Sequence, residues 1–191
     1  MGNSRQTTPL KKVVYMAAAW SPCSSEDEMN YILRGCRCSS EIHIHSKAPP
    51  NFRFSGNFRQ IDCLDIWYGS WVTIENLLTM DGIDIHLDNA SLSNSDLNVF
   101  VRHWLSGGCS RLKLFCANTG SVDILQVLAG LRQNAVFVEN RRDYTSTFGH
   151  QWTFWDGYDI KRSDGVTATV HYEPLGALVI AVWPETTYNY N

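Results

Sequence analysis

The chain has 191 residues, 44% of them hydrophobic, and it carries a formal net charge of −3 at pH 7. This size fits one domain with a sizeable core, and the lack of a basic excess argues against nucleic acid as a partner. No apolar run approaches the roughly 18 to 20 residues of a membrane span, and the first residues lack the order of a secretory signal. Six cysteines without such a signal are typical of reduced thiols, so we expect a cytoplasmic or nuclear protein without a membrane partner.

The first third of the chain alternates predicted strands and short helices. A first strand is expected over 13–19, and the acidic residues after Ser25 favour the start of a helix. The alternation in EIHIH, residues 41–45, predicts a second strand. The apolar pair Leu64 and Ile66 predicts a third strand.

The stretch 71–108 has the clearest local pattern in the chain. Thr73 is placed to cap a short helix, and apolar residues alternate with aspartate and histidine over 83–88, which predicts a half-buried strand. Ser93 offers a side-chain cap to a helix over 94–106, and two glycines follow where that helix should end. The apolar side chains of this helix recur at helical spacing: Leu97, Phe100, Val101, Trp104 and Leu105.

The rest of the chain predicts one more strand and helix, then a stretch without periodicity, and finally a series of strands. RLKLFC, residues 111–116, predicts a strand with Leu112 and Leu114 on one side. Ser121 is the expected cap of a helix, and the expected buried stripe of this helix is Ile124, Leu125, Leu128 and Leu131. Residues 140–157 are polar and aromatic without a period, which indicates a long loop or an edge element. Three strand patterns joined by Ser-Asp-Gly and Pro-Leu-Gly turns then predict an antiparallel meander.

The spacing of the strands indicates the architecture. Strand centres near Ile44, Ile66, Ile85 and Leu114 lie 22, 19 and 29 residues apart, and leucine-rich repeats have about 20 to 29 residues per unit. We therefore predict an α/β fold, namely an irregular leucine-rich-repeat-like alternation of parallel strands and helices. A C-terminal antiparallel β-meander would cap the open edge of this sheet.

A single domain is expected to hold almost the whole chain. It spans 11–185, with strand–helix repeats over 11–139 and a loop and β-meander over 140–185. Residues 1–10 are polar and predict a flexible N-terminus, and 186–191 have no pairing pattern and predict a tail.

The strand alternation also predicts a binding face. If the apolar side chains of four strands point inward, their neighbours point outward onto the concave face that solenoid-like sheets use for binding. The predicted partner-binding residues are His43, His45, Asp65, Trp67, Asp84, His86, Lys113 and Phe115. Trp67 and Phe115 would be the aromatic anchors of this face. In the competing interpretation, the C-terminal meander or the loop at Pro49 and Pro50 covers the face, and these are ordinary packing residues.

The same residues suggest a second chemistry. His43 and His45 lie two apart on one strand, with Asp65, Asp84 and His86 on neighbouring strands, and such groups bind zinc or act as acid and base. No motif with metal-ligand spacing and no nucleophile motif supports this reading. We therefore expect no metal, no cofactor and no catalysis, and keep a metal-dependent enzyme as the alternative.

Two blocks of the sequence resemble the F-box associated domain, type 2, a family that is greatly expanded in nematodes. The first block runs through 71–108, and its matching residues are Trp71, Val72, Thr73, Leu77, Leu78, Ser91, Leu92, Asp96, Leu97, Asn98, Phe100, Trp104 and Gly107. The second is the GYDIKRSDG run from Gly157 to Gly165, followed by an Ala-Thr-Val sequence. The resemblance covers roughly residues 25–172.

The resemblance implies a non-catalytic protein–protein recognition domain. It further implies a substrate-recruiting module of a cullin–RING (SCF-type) ubiquitin ligase. In such proteins an N-terminal F-box binds a Skp-type adaptor, and the associated domain holds the target protein. The first 24 residues here show no recognisable F-box pattern. We therefore expect a target protein as partner, and an adaptor and cullin only if an F-box is supplied upstream. The alternative is a structural interaction domain without a ubiquitin-ligase link.

Overall fold

One large sheet with helices against one side forms the fold. The structure, a computed structural model, describes residues 12–15, 25–35, 40–58 and 60–184. The strands are β1 (Lys12–Tyr15), β2 (Glu41–Ile44), β3 (Cys63–Ile66), β4 (Asp84–Leu87), β5 (Leu114–Asn118), β6 (Ala135–Val138), β7 (Arg142–Thr145), β8 (Gln151–Phe154), β9 (Gly157–Lys161), β10 (Thr167–Glu173) and β11 (Ala177–Val182). The helices are α1 (Glu26–Asn30), α2 (Ile74–Leu77), α3 (Asn94–Leu105) and α4 (Ile124–Val127), with a π-helical turn at Tyr31–Gly35 and a 3-10 turn at Arg132–Asn134. None of these described helices is long and apolar enough to cross a membrane.

The sheet has a parallel half and an antiparallel half. Strands β1 to β5 lie side by side in chain order and pair in parallel. Strand β11 pairs antiparallel with β5, and β10, β9 and β6 continue from it in antiparallel pairs. The prediction of a mixed α/β fold is confirmed, and its finer form, a leucine-rich-repeat-like array, stays a prediction. The calls for 1–10, 16–19 and 186–191 lie outside the described residues.

Helix α3 forms because its ends and its buried face are both specified locally. The Ser93 hydroxyl accepts a hydrogen bond from the backbone N–H of Asp96 at 3.2 Å, and the Asp96 carboxylate accepts one from the N–H of Ser93 at 2.8 Å. Gly107 has a φ of 95°, the left-handed conformation that ends a helix. The buried side of α3 packs on the sheet, where the rings of Phe100 and Phe115 lie 4.4 Å apart.

The two faces of the sheet bury very different amounts of apolar surface. On the face toward the helices, called here the helix face, the strands contribute buried residues to the main core, among them Ile42, Ile44, Leu64, Ile66, Ile85 and Leu87. On the other face, called here the polar face, the apolar cluster is small and consists of Leu114, Tyr144, Phe154, Val179 and Ala181. Tyr144 and Phe154 come from β7 and β8, which pair only with each other among the described strands. This hairpin therefore covers part of the polar face.

The predicted orientation of Phe115 is wrong. It was expected on the outward face, but it is 0% exposed and belongs to the main core on the helix face. The prediction counted Leu112 as part of the strand. Leu112 instead lies in a turn before β5, where its N–H donates to the carbonyl of Cys109, and its side chain is buried in the main core. The strand begins only at Leu114, which faces the opposite side, so its alternation is shifted by one residue.

Two further elements differ from the sequence-based expectation. The stretch 140–157, predicted as a loop or edge element, contains the β7–β8 hairpin. Helix α4 is capped by Asp123 instead of Ser121, because the Asp123 carboxylate accepts hydrogen bonds from the N–H groups of Leu125 and Gln126 at 2.9 and 3.3 Å. Leu125, expected in the buried stripe, is 53% exposed.

Candidate functional site

Strand register places a row of ionisable side chains across the polar face. His43 lies opposite Asp65, Asp65 opposite His86, and His86 opposite Cys116. Because alternate residues of a strand share a face, His45 and Trp67 follow His43 and Asp65 on the same side, and Asp84 precedes His86. The parallel half of the sheet thus carries its polar groups in one continuous patch.

One carboxylate lies between two imidazoles at the end of this patch. Asp65 Oδ2 is 3.1 Å from Nδ1 of His43 and 3.5 Å from Nε2 of His45. Nε2 of His43 is 3.7 Å from the carboxylate of Glu41. The three residues His43, His45 and Asp65 are called here the open group, since each keeps part of its side chain in contact with solvent.

Trp67 is an exposed aromatic side chain that is held in place. It is 47% exposed, yet its ring stacks on His45 with centroids 4.0 Å apart and planes 23° apart. The backbone N–H of Trp67 donates to the carbonyl of Ile44 at 3.0 Å, and the backbone carbonyl of Trp67 accepts from the Asn89 side chain at 2.9 Å. Stacking and backbone pairing therefore fix this ring while leaving much of it free to contact a partner.

A pocket of about 340 Å³ opens where the loops after β2, β3 and β4 meet. Trp67 does not line it but adjoins it, since Tyr68 follows in the chain and the side chain of Asn89 donates to the Trp67 carbonyl, and both Tyr68 and Asn89 are lining residues. Its lining residues are Lys47, Ala48, Pro49, Pro50, Asn51, Phe52, Arg53, Tyr68, Ser70, Trp71 and Asn89. Two of them are basic, and no acidic side chain is among these described residues. Lys47 Nζ lies 5.3 Å from the centre of the Tyr68 ring, and the buried Nε1 of Trp71 has no hydrogen-bond partner in the part of the chain described.

A second group of two histidines and an aspartate lies under the β7–β8 hairpin. Asp84 is 0% exposed, and its Oδ2 is 3.1 Å from Nδ1 of His150, which comes from the turn of the hairpin. The ring of His150 packs 4.0 Å from that of His86 at an angle of 42°. Burial, together with the neighbouring His150, lowers the pKa of His86 to about 4. Asp84, His86 and His150 are called here the covered group.

Further contacts hold the hairpin on the polar face. The Tyr144 hydroxyl donates to the carbonyl of Lys113 at 2.7 Å, and the guanidinium of Arg142 donates to both carboxylate oxygens of Asp159 at 2.9 Å. Burial raises the pKa of the Tyr144 hydroxyl to about 12. The hairpin is therefore attached through side chains of β7, through the buried Phe154 of β8 and, at its turn, through His150.

The structure divides the predicted binding residues into several environments. His43, His45, Asp65 and Trp67 come together near the pocket. The other predicted residues are apart from them: Asp84 and His86 lie under the hairpin, Lys113 is exposed before the start of β5, and Phe115 is in the core. Asp84 is therefore covered, but by the β7–β8 hairpin and not by the C-terminal meander or the loop at Pro49 and Pro50 that the competing interpretation named.

Sequence reasoning missed two parts of this surface. His150 gave no signal because its neighbours lack a period, and only the hairpin brings it to the sheet. The basic residues of the pocket, Lys47 and Arg53, lie in loops that no strand or helix pattern describes. The presence of both residues in the single loop between two predicted strands was the one signal in the sequence that could have indicated a basic site there.

Comparison with known proteins agrees with the resemblance seen in the sequence. Residues 51–117 match the family model described as F-box associated, and the predicted resemblance is confirmed. The F-box associated domain-containing protein sdz-33 of Caenorhabditis elegans is 25% identical over 173 residues, covering 82% of this chain and 54% of the relative. The Skn-1 dependent zygotic transcript 15 protein of the same organism is 26% identical over 146 residues, covering 73% and 41%.

The chain spans about half the length of the curated relatives it matches. No solved structure matches the chain.

Proposed function

We propose that this chain, with its F-box associated match over 51–117, is a protein-recognition domain that binds its target around Trp67. The observation that carries the proposal is a half-exposed tryptophan held by stacking on His45 beside a pocket. Exposed aromatic side chains with restricted freedom supply much of the energy of protein interfaces, since they lose little entropy on binding.

The lining of the pocket suggests the chemistry of the target. Lys47 and Arg53 are both exposed, and the lining residues include no acid to neutralise them. A target segment that presents an acidic side chain into the pocket and an apolar one to Trp67 would complement these groups.

We further propose that the bound target is a substrate of an SCF-type ubiquitin ligase. One relative is itself named for its F-box associated domain. An F-box outside the matched region would bind a Skp-type adaptor and cullin, and this domain would position the substrate without catalysis of its own, in the cytoplasm or nucleus. In the leucine-rich-repeat-like description, which we retain as part of this proposal, the recognition surface lies at the carboxyl ends of the parallel strands.

The recognition surface is tested by quantitative affinity capture with two tryptophan variants. Trp67→Ala should reduce recovery of the target at least about 30-fold, as expected for an interface anchor worth 2 kcal/mol or more. Trp155→Ala is the matched control, because Trp155 is 63% exposed, follows the hairpin in the chain and does not line the pocket. Equal recovery by Trp67→Ala and Trp155→Ala would contradict the assignment of this surface.

The ligase link needs a separate test on the full-length protein. Immunopurification from native cells should recover a Skp-type adaptor and a cullin together with the target, as measured by mass spectrometry. Recovery of the target without either ligase component would reject the ligase link and leave the recognition surface intact.

A further inference from the structure

We propose that Asp84, His86 and His150 bind one divalent transition-metal ion of the zinc class, and that this ion fastens the β7–β8 hairpin to the sheet. The site is distinct from the recognition surface around Trp67 and does not depend on the proposed function.

The donor atoms and their spacing fit such an ion. Two imidazole nitrogens and one carboxylate oxygen are ligands that zinc accepts, and one such atom from each residue lies within 4.8 Å of the others. Asp84 Oδ2 and His150 Nδ1 are 3.1 Å apart. Two ligands of a tetrahedral zinc, each about 2.0 Å from the ion, lie about 3.3 Å apart. The first two ligands therefore already have the required spacing, and the donor atom of His86, within 4.8 Å of them, would have to move closer by up to about 1.5 Å.

Two buried polar atoms of this group have nothing to bind. The Asp84 side chain is fully buried, and only its Oδ2 has a partner, while Oδ1 forms no hydrogen bond with any described residue. Nε2 of His86 is likewise buried without a hydrogen-bond partner in the described chain. Unpaired buried polar groups are costly and rare. An ion between the three side chains would give Nε2 of His86 a partner, and it would also satisfy Oδ1 of Asp84 if the carboxylate bound it through both oxygens.

The placement of the two rings also suits a metal. The imidazoles of His86 and His150 lie 4.0 Å apart, close enough for both to bind one cation. The carboxylate of Asp84 then supplies the negative charge that a dication needs in a buried site.

The open group offers the same donor types, and Nε2 of His43 and Nε2 of His45 are also buried without a hydrogen-bond partner among the described residues. It is nevertheless the weaker candidate. Its carboxylate, Asp65, already lies within 3.5 Å of both imidazoles, and the ring of His45 is engaged with Trp67. Its three residues also come from adjacent strands that pair without help. The covered group joins segments 66 residues apart, since His150 contacts Asp84 from the hairpin. An ion there would add a cross-link that the sheet does not otherwise provide.

The experiment uses the chain without a polyhistidine tag, stripped of metal by a chelator and titrated with Zn²⁺ by calorimetry. We expect one ion per chain, a Co²⁺ derivative with visible absorption, and no comparable binding of Mg²⁺, which prefers oxygen ligands. The X-ray absorption spectrum of the zinc form should show nitrogen and oxygen neighbours. Failure of the wild-type chain to take up stoichiometric Zn²⁺ or Co²⁺ would overturn the proposal, whatever the variants do.

Variants then locate the ion. His150→Ala and His86→Gln should weaken Zn²⁺ binding at least about 100-fold, because even a residue that only supports a ligand contributes 10- to 100-fold. His43→Ala, the matched change in the open group, should leave the affinity unchanged. Loss of binding in His43→Ala with retention in His150→Ala would place the ion in the open group and overturn the assignment. Sulfur among the metal neighbours would do so as well, since it would assign the ion to cysteines.

Hydrogen exchange tests the fastening role. Zn²⁺ should slow amide exchange in 142–154 of the wild-type chain by about 10-fold or more and should have no such effect in His150→Ala. Zinc-dependent slowing spread evenly over the chain would contradict a local role at the hairpin.

Discussion

Two groups with the same composition, each with two histidines and one aspartate, lie on the same face of one sheet and have different surroundings. The open group contacts solvent and stacks on Trp67 beside the pocket. The covered group lies under the β7–β8 hairpin, where Asp84 is fully buried and the pKa of His86 falls to about 4. Residue type alone would assign both groups the same role. Their difference comes from burial under the hairpin, which removes the Asp84 side chain from solvent and lowers the pKa of His86.

The hairpin is therefore the element that buries the covered group and leaves the open group exposed. Removing its largest buried apolar side chain should destabilise the hairpin and expose the covered group. Phe154 is fully buried in the small cluster between the hairpin and the sheet. Phe154→Ala should lower the free energy of unfolding by about 3 to 5 kcal/mol, because it leaves a cavity there. Denaturant unfolding measures the change. The adjacent Trp155 is mostly exposed, so Trp155→Ala should cost less than about 1 kcal/mol. Equal losses in the two variants would contradict the hairpin's packing.

The pH dependence of stability should come partly from the covered group. The pKa of His86 is lowered to about 4 in the folded chain from an ordinary value of 6.5. The unfolded chain therefore binds more protons between these values, and stability falls as the pH is lowered through this window. In the metal-free chain the loss should reach about 3 kcal/mol by pH 4. His86→Gln should flatten the profile measured by chemical unfolding at pH 4 to 7. An unchanged slope in this variant would argue against a buried neutral His86.

A single hydrogen bond contributes a smaller part of the hairpin's attachment. Tyr144→Phe removes the bond from its hydroxyl to the carbonyl of Lys113 while keeping the ring in place. That carbonyl also accepts from the N–H of Val182 at 2.8 Å. The free energy of unfolding should therefore fall by only about 1 kcal/mol. Exchange of the amides in 142–154 should become faster in this variant, and exchange at the α3 amides should not change. A uniform change along the chain would indicate a different role for Tyr144.

The smallest effect on stability is expected from substitution of Trp67, which stacks on the open group. Trp67 is half exposed and contributes to none of the apolar clusters. Trp67→Ala should lower the free energy of unfolding by less than about 1 kcal/mol, which thermal and denaturant unfolding can measure. A loss as large as that of Phe154→Ala would mean that Trp67 is a packing residue, and it would weaken its role as an anchor for a target.

Several elements of the fold were predictable because the residues that determine them are close in the sequence. Helix α3 depends on the Ser93 cap and on an apolar side with helical spacing, both of which lie within the helix or next to it. Strands β2 to β4 follow from alternation over four or five residues. The same local patterns brought His43, His45 and Asp65 onto one face. One predicted member of the binding face, Phe115, lies in the core for a local reason as well, because β5 begins only after Leu112 and its alternation is shifted by one residue.

What the sequence determined by itself is the set of polar side chains on the outward face and the residues that resemble the F-box associated family. What only the tertiary structure decided is which of those side chains are covered. The contact between His150 and Asp84 joins residues 66 positions apart, and nothing within a few residues of either one specifies it. Packing of the hairpin against Leu114 and Val179 places it there. Covering is a property of non-local packing, because each segment can bury its apolar side only against another, and local periodicity carries no information about that choice.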